Sequence, residues 1–331
     1  MRSVPAGSFA RISDPVTLWR AWRRARRGKR RQPRMAAFDL EADRAVLALS
    51  RALRAGDFEP EPYHLSLVRD PKLRLIAAPS IRDRILHQAL IGELAPHYAR
   101  SFIHDSYAWG LGRGPHRAAL RYLAWTRRHR YRLRLDIRRY FLTVRHDTLL
   151  GLYARRLRDR DTTALIAKLL EHGGGVYRAP LAIEALGLAR DPVLPGRGLP
   201  IGSLLSQFSG SLYLDGLDHF AKRQLKVRAW LRFMDDVVLF DDERARLEHH
   251  REAIRSWLHS HRGLALNPKH QQVQPAHQPT TFLGYRISRA GLTPGRAMRR
   301  RLRWKVVQAA QKDTQALERC LRSYAGLVDF G

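Results

Sequence analysis

One cysteine, Cys320, stands in 331 residues. A single thiol excludes an intramolecular disulfide and any zinc site built from several cysteines, and Cys320 reads as a small apolar residue of a C-terminal helix. Acidic residues are scarce as well: 30 Asp and Glu face 61 Lys and Arg, a net charge of +31. So large an excess repels itself unless a polyanion neutralises it, and nucleic acid is the obvious partner. Lysine is scarce within the basic set, eight against 53 arginines. Arginine grips phosphate through paired N–H groups and stacks on bases, but a GC-rich genome gives the same bias, so no mechanism follows. No run approaches the roughly 18 apolar residues that a membrane span requires. No strongly apolar face offers itself to a bilayer surface, and the N-terminus, Met-Arg-Ser-Val-Pro-Ala-Gly, lacks the apolar core of a signal peptide. The expectation is a cytoplasmic protein with no membrane partner. Repeats and low-complexity linkers are absent too, and 44% apolar residues mark a folded chain, long enough for two or three lobes each with a core.

What is present centres on Phe233-Met-Asp-Asp236. Two adjacent carboxylates lie between strand-like runs, Ala229–Phe233 and Val237–Phe240, which predicts a β-hairpin with Met234, Asp235 and Asp236 at its tip. Adjacent acids repel unless a cation sits between them, and two divalent metals about 4 Å apart would clamp a phosphoryl transfer there. Taken alone, an Asp-Asp pair reads more readily as a turn, where Asp is favoured for local hydrogen bonding. A metal site needs a further carboxylate on a neighbouring strand. Residues 131–137, Tyr-Arg-Leu-Arg-Leu-Asp-Ile, alternate polar and apolar as a half-buried strand does and bring Asp136 to its C-terminal end. Asp136 equally suits the cap of the following turn. A third element, Gly198-Leu-Pro-Ile-Gly202-Ser-Leu-Leu-Ser206-Gln207, is a tight loop leading into a helix that Ser203 or Ser206 can begin. It suits a surface beneath a nucleotide or template base, and by itself it suits an ordinary strand-to-helix connection better.

The order of the three elements resembles the palm of reverse transcriptases. The resemblance continues in Leu266-Asn-Pro-Lys269, which is similar to a later palm motif with its lysine, and in Phe282-Leu283-Gly284-Tyr285, similar to a primer-grip hairpin. Upstream, Pro71-Lys72-Leu-Arg74 and Ile81-Arg-Asp-Arg-Ile resemble finger segments. It implies an α+β right-hand polymerase fold: a basic helical extension at 1–62, fingers at 63–130, a palm at 131–287 with an insertion at 150–197, and a thumb at 288–331. It also implies an RNA-directed DNA polymerase whose partners are template RNA, a primer or cDNA, and dNTPs. Asp136, Asp235 and Asp236, with the main-chain carbonyl of Ile137, would hold two Mg²⁺ ions, for which hard oxygen ligands suit, with Mn²⁺ as a substitute. Lys269 would protonate the leaving pyrophosphate. Lys72 and Arg74 would hold the triphosphate, Gly202 and Gln207 the nucleotide, and Phe141, five residues past Asp136, would exclude a 2′-hydroxyl.

The middle motif narrows the resemblance. Ile201-Gly202-x-x-x-Ser206-Gln207 stands where many relatives carry Gln-Gly-x-x-x-Ser-Pro. That variant is similar to the reverse transcriptases of diversity-generating retroelements, and it implies errors opposite template adenine, with Ile201 and Gln207 as fidelity residues, and a small basic accessory oligomer encoded nearby. Ser203-Leu204-Leu205 and Trp109-Gly110 depart from that group's usual residues. The alternatives are a retron-type or anti-phage reverse transcriptase and a non-catalytic RNA-binding scaffold or maturase.

The remaining elements follow from local signals. Asp14-Pro15 begins a helix with Leu18, Trp22 and Ala25 on one face, and Arg20, Arg23, Arg24, Arg27 and Arg31 form a basic face for RNA or a partner. Helices are expected at about 41–55, 82–99, 115–129, 162–171 and 243–260, and strands at 63–68 and 73–78. Gly173-Gly-Gly175 is expected to break the chain after the fourth of these helices. Strand pairs are expected at 264–274 and 281–293, then one long helical segment at about 295–322, where Arg296, Arg299, Arg300, Arg301, Arg303 and Lys305 suit a thumb on a duplex backbone.

Overall fold

The computed structural model describes residues 4–69 and 73–328. It is α+β, as expected, and its residues group into two compact units: Met1–Ile103 with Arg139–Gly216, and His104–Arg138 with Leu217–Gly331.

The first unit is mostly helical. Asp14 caps the helix Pro15–Ala25 by accepting the Thr17 N–H at 2.8 Å, and Leu18, Ala21, Trp22 and Ala25 form its buried face. A second helix, Ala42–Ala55, closes on Gly56 in the left-handed region. The hairpin of β1 (His64–Arg69) and β2 (Leu73–Ala78) is antiparallel, and Leu75 and Ala77 bury one face of β2 against Val176, Tyr177 and Val193. Asp70, Pro71 and Lys72, between the two strands, lie outside the described residues. The helix Ile81–Tyr98 follows.

Two expectations fail in this unit. The helix begun at Pro15 ends at Ala25, so Arg27 and Arg31 lie in the turn past it and not on its basic face. The helix Arg160–Gly175 runs through Gly173-Gly-Gly175 instead of ending before it. A Cβ on Gly174 would stand 2.4 Å from the carbonyl oxygen of Arg197, and one on Gly173 would stand 2.9 Å from Pro200. These glycines let the 196–202 segment lie directly on the helix; they are packing residues, and the intrinsic helix cost of Gly is outweighed by that contact.

The second unit is built on an antiparallel sheet in the order β4-β5-β3-β6, from β3 (Tyr131–Asp136), β4 (Ala229–Phe233), β5 (Asp236–Asp241) and β6 (Val273–Pro275). Alternation does the sorting, since successive side chains take opposite faces. Ala229, Leu231, Val238 and Phe240 meet Ala118, Ala119 and Tyr122 of the helix Pro115–Arg128 on one face. Beyond Ala265 the sequence suggests a strand pair, but 264–274 contributes only an isolated bridge at Leu266 and the short β6. The pair expected at 281–293 is a three-stranded meander of β7 (Thr280–Phe282), β8 (Tyr285–Ser288) and β9 (Gly291–Pro294). The long C-terminal helix is two, Arg296–Ala310 and Thr314–Val328, the second capped by Asp313. Cys320 sits half-buried on the second.

Candidate functional site

β3 and β5 pair so that Asp136 faces Asp236 directly across the ladder. Directly opposed residues project from the same face with Cβ atoms roughly 5 Å apart, so the register alone brings these two carboxylates together. Phe233 pairs with Asp236 across β4 and β5, which leaves Met234 and Asp235 as a two-residue turn. Met234 has φ 54°, while Asp235 is not among the positive-φ residues. That is the pattern of a type II′ turn, which normally puts glycine first. A methionine there carries a backbone cost of roughly 1–2 kcal/mol, so the surroundings must hold it.

Each carboxylate is oriented by a neighbour to which the sequence pattern assigns no role. Asn267 donates through Nδ2 to Asp136 Oδ2 at 2.7 Å, and its main-chain N–H donates to the Asp136 carbonyl at 2.8 Å. Arg134 donates to Asp236 Oδ1 through Nε at 3.0 Å and Nη2 at 2.7 Å, donates through Nη1 to the Thr281 carbonyl, and lies 5.5 Å over the Phe282 ring. Ile137 is buried and bridges Leu266. Lys269 is exposed, its N–H on Asn267 Oδ1 at 3.2 Å.

Among the described residues no group of three or more His, Cys, Asp or Glu side chains closes on a metal position by itself. Asp136 and Asp236 do offer hard oxygen donors on one face, and Asn267 and Arg134 each engage one oxygen of the pair. Magnesium commonly takes one or two carboxylates and completes its shell with water and substrate phosphates. The donor set fits that mode, an ion shared with a nucleotide, and does not fit a closed protein cage.

The hairpin at Phe282–Tyr285 is part core and part exposed tip. Phe282 and Tyr285 are both 1% exposed and belong to the core. Only Leu283 (φ 48°) and Gly284 (φ 88°) form its tip.

The first unit holds most of the other expected residues. The loop before the helix Leu204–Tyr213 is pinned along its length: Leu199 N–H donates to the Phe141 carbonyl at 2.6 Å, Tyr177 Oη–H to the Leu199 carbonyl at 2.8 Å, and Ala77 N–H of β2 to the Ile201 carbonyl at 2.7 Å. Gly202 has φ 122°, and a Cβ there would meet the Ala77 oxygen at 2.8 Å, so only glycine passes. Ser203 caps the helix and shares its Oγ with buried His87 Nδ1 at 3.3 Å. Gln207 is exposed on the first turn, Ile201 and Phe141 are half-buried, and Tyr140 Oη–H donates to the Gly210 carbonyl at 2.6 Å. Arg74 is exposed on β2; Lys72 is outside the described residues. Arg20, Arg23, Arg24, Arg27 and Arg31 are all exposed, as are Arg299, Arg300, Arg303 and Lys305 in the second unit.

Residues 69–287, well over half of the chain, match the family model described as reverse transcriptase (RNA-dependent DNA polymerase). The chain belongs to the reverse transcriptase family. The matched span contains β2, Asp136, Asp235, Asp236 and the Ile201–Gln207 loop, and leaves the basic N-terminal helix and the Arg296–Ala310 helix outside it. As a member of this family of nucleotidyltransferases, the chain is also 25% identical over 279 residues to Protein YkfC of Escherichia coli K12, covering 72% of this chain and 69% of that protein. Among solved structures, a telomerase of Candida albicans with a telomeric RNA fragment aligns at a TM-score of 0.46 and 11% identity, over 81% of this chain. An apo telomerase of Candida tropicalis aligns at 0.45 and 12%, over 71%. The chain spans about half the length of those telomerase chains, 54% and 56%. No helix among the described residues is long and apolar enough to cross a membrane.

Proposed function

We propose that this reverse transcriptase builds DNA on an RNA template at Asp136, Asp235 and Asp236. The observation that carries the reading is the register of β3 and β5, which sets Asp136 opposite Asp236 beside the Met234–Asp235 turn. The sheet β3–β6 serves as the palm, the β1–β2 hairpin as part of the fingers, and the helix Arg296–Ala310 as part of the thumb. Asp136, Asp235 and Asp236, with the Ile137 carbonyl, would hold two Mg²⁺ ions, which when bound activate the primer 3′-hydroxyl and neutralise the pyrophosphate. Arg134 and Asn267 keep the Asp236 and Asp136 carboxylates oriented before substrate arrives. Lys269 Nζ hands a proton to the pyrophosphate oxygen as it leaves. Phe141 excludes a ribose 2′-hydroxyl, Arg74 and Lys72 meet the triphosphate, and Leu283 and Gly284 touch the primer strand. The partners are template RNA, primer or cDNA, and dNTPs, and the compartment is the cytoplasm.

The finer reading is a diversity-generating retroelement enzyme working with a small basic accessory oligomer. It rests on Ile201 and Gln207, where accurate relatives place Gln and Pro. Losing one or two contacts to the nascent pair lowers discrimination by about 10-fold per 1.4 kcal/mol.

One experiment tests both levels. Purified protein copies a defined RNA from a DNA primer with Mg²⁺, and the cDNA is sequenced. Wild type extends the primer with errors concentrated opposite adenine, and Ile201→Gln with Gln207→Pro reduces them. Asp235→Asn stays folded and gives no product. Extension by Asp235→Asn at the wild-type rate would remove the site. Errors at adenine no more frequent than elsewhere would remove the retroelement reading and leave the polymerase.

A further inference from the structure

Arg232 carries a charge in the middle of β4, yet its side chain is fully buried. A buried ion survives only when its donors are met, and here they are. Nε donates to both oxygens of Asp218 at 2.9 and 3.0 Å, and Nη2 donates to Asp218 Oδ2 at 2.6 Å and to Ser106 Oγ at 3.1 Å. Asp218 is equally buried and also accepts the Trp230 indole N–H at 2.9 Å. The main chain of Arg232 is gripped as well: its N–H donates to the Asp105 carbonyl at 2.9 Å, and its carbonyl accepts the Tyr107 N–H at 2.8 Å. Asp105 is tied in turn by Arg121 at 3.0 Å and Lys222 at 2.9 Å.

From this anchored cluster a hydrogen bond reaches the turn. Arg232 Nη1 donates to the Met234 carbonyl at 3.1 Å. That carbonyl is half of the peptide joining Met234 to Asp235, the central peptide of the turn. Rotation of the central peptide is what separates a type II′ turn from a type I′ turn, because it changes the sign of φ at the second residue. Fixing the carbonyl therefore fixes the direction in which Asp235 leaves the backbone. It also holds Met234 at φ 54°, where only glycine rests without strain.

We propose that Arg232, clamped by Asp218 and Ser106, is a positioning residue that locks the Met234–Asp235 peptide and so aims the Asp235 carboxylate. Its catalytic meaning rests on the reading of Asp235 and Asp236 given above. Arginine is required because one side chain must satisfy Asp218 and still reach the turn; lysine has a single donor head and cannot do both.

A thermodynamic cycle separates this role from general support of the sheet. The rate of single-nucleotide addition at saturating dNTP is measured for wild type, Arg232→Lys, Met234→Gly and the double variant. Misplacement of a catalytic group by about 1 Å costs on the order of 100-fold, so Arg232→Lys should lose roughly 10- to 100-fold in rate with little change in dNTP KM. Glycine holds a type II′ turn by itself, so the same substitution should cost only a few-fold in the Met234→Gly background. An equal cost in both backgrounds, or no cost in the first, overturns the proposal. Asp218→Asn, which keeps the shape and loosens the clamp, runs through the same cycle if Arg232→Lys does not fold. Amide hydrogen exchange supplies a readout free of catalysis: it should rise across 233–237 in Arg232→Lys and stay unchanged in the rest of β3 and β5. A rise spread evenly through the sheet would also overturn the proposal. Asp235→Asn that retains activity, with the local exchange rise intact, would sink the catalytic reading and spare the positioning of the turn.

Discussion

His87 is 1% exposed, holds the helix-capping Ser203 through Nδ1, and leaves Nε2 without a hydrogen-bond partner among the described residues. Burial disfavours the imidazolium and pushes the His87 pKa down from 6.5 to about 4, with His172 adding to the effect. The unfolded chain then binds a proton below about pH 6.5 that the folded chain refuses until about pH 4. Stability from this residue is full above pH 6.5 and falls as pH drops toward 4, by up to about 1.4 kcal/mol per pH unit. Urea melts at pH 6.5, 5.5 and 4.5 should show a steeper loss in wild type than in His87→Gln. Parallel pH dependences in the two proteins would mean that His87 is protonated in the fold. At this scale the sequence is least readable. Asp136, Asp235 and Asp236 announce themselves because carboxylates beside apolar runs are conspicuous. Arg232, Arg134 and Asn267 do not, because one charged or amide residue in a strand pattern looks solvent-facing until its partners, roughly 15 to 130 residues away, are in place.

Among the elements, regular ones are legible and glycine-rich ones are not. Period-two alternation gives β3 to within a residue, and caps at Asp14 and Gly56 give their helix ends. The run Gly173–Gly175 misleads, since the signal for a break and the signal for close packing are the same residue. The difference is testable within one helix. Gly174→Ala forces a Cβ to 2.4 Å from a backbone oxygen that has little room to retreat. It should cost about 2 kcal/mol or more, outweighing the roughly 1 kcal/mol of helix propensity gained. Gly175→Ala meets only the tip of Arg178 at 3.6 Å and should be neutral or mildly stabilising. Denaturant midpoints of the two variants decide it; a Gly174→Ala protein as stable as wild type would show that 196–202 does not lie on this helix as described. The meander β7–β9 and the break between the last two helices escape the sequence for a related reason: strands of three or four residues are too short to display a period.

For the molecule as a whole, the excess charge is the dominant property. A net +31 makes RNA binding a counterion-release process, so affinity should fall by orders of magnitude between roughly 50 and 200 mM salt. The helix Pro15–Ala25 and the turn after it bury Leu18, Ala21, Trp22 and Ala25 and expose Arg20, Arg23, Arg24 and Arg27. Replacing these four by glutamine together should weaken RNA binding and flatten its salt dependence while slowing single-nucleotide addition on a short primed duplex much less. Fluorescence anisotropy over a salt series reads this directly, and an unaltered slope would take the role away from this helix.

The pairing of β3 with β5 also sets a timetable. Arg134 and its partner Asp236 are 102 residues apart, and all of Arg139–Gly216 belongs to the other unit. At a ribosome adding about 5–20 residues per second, β3 emerges some 5–20 s before either strand that will flank it. For that interval it is an open edge, the kind that recruits foreign strands. Arg132 and Arg134, alternating along it, give the waiting strand the charge by which edge strands resist foreign pairing.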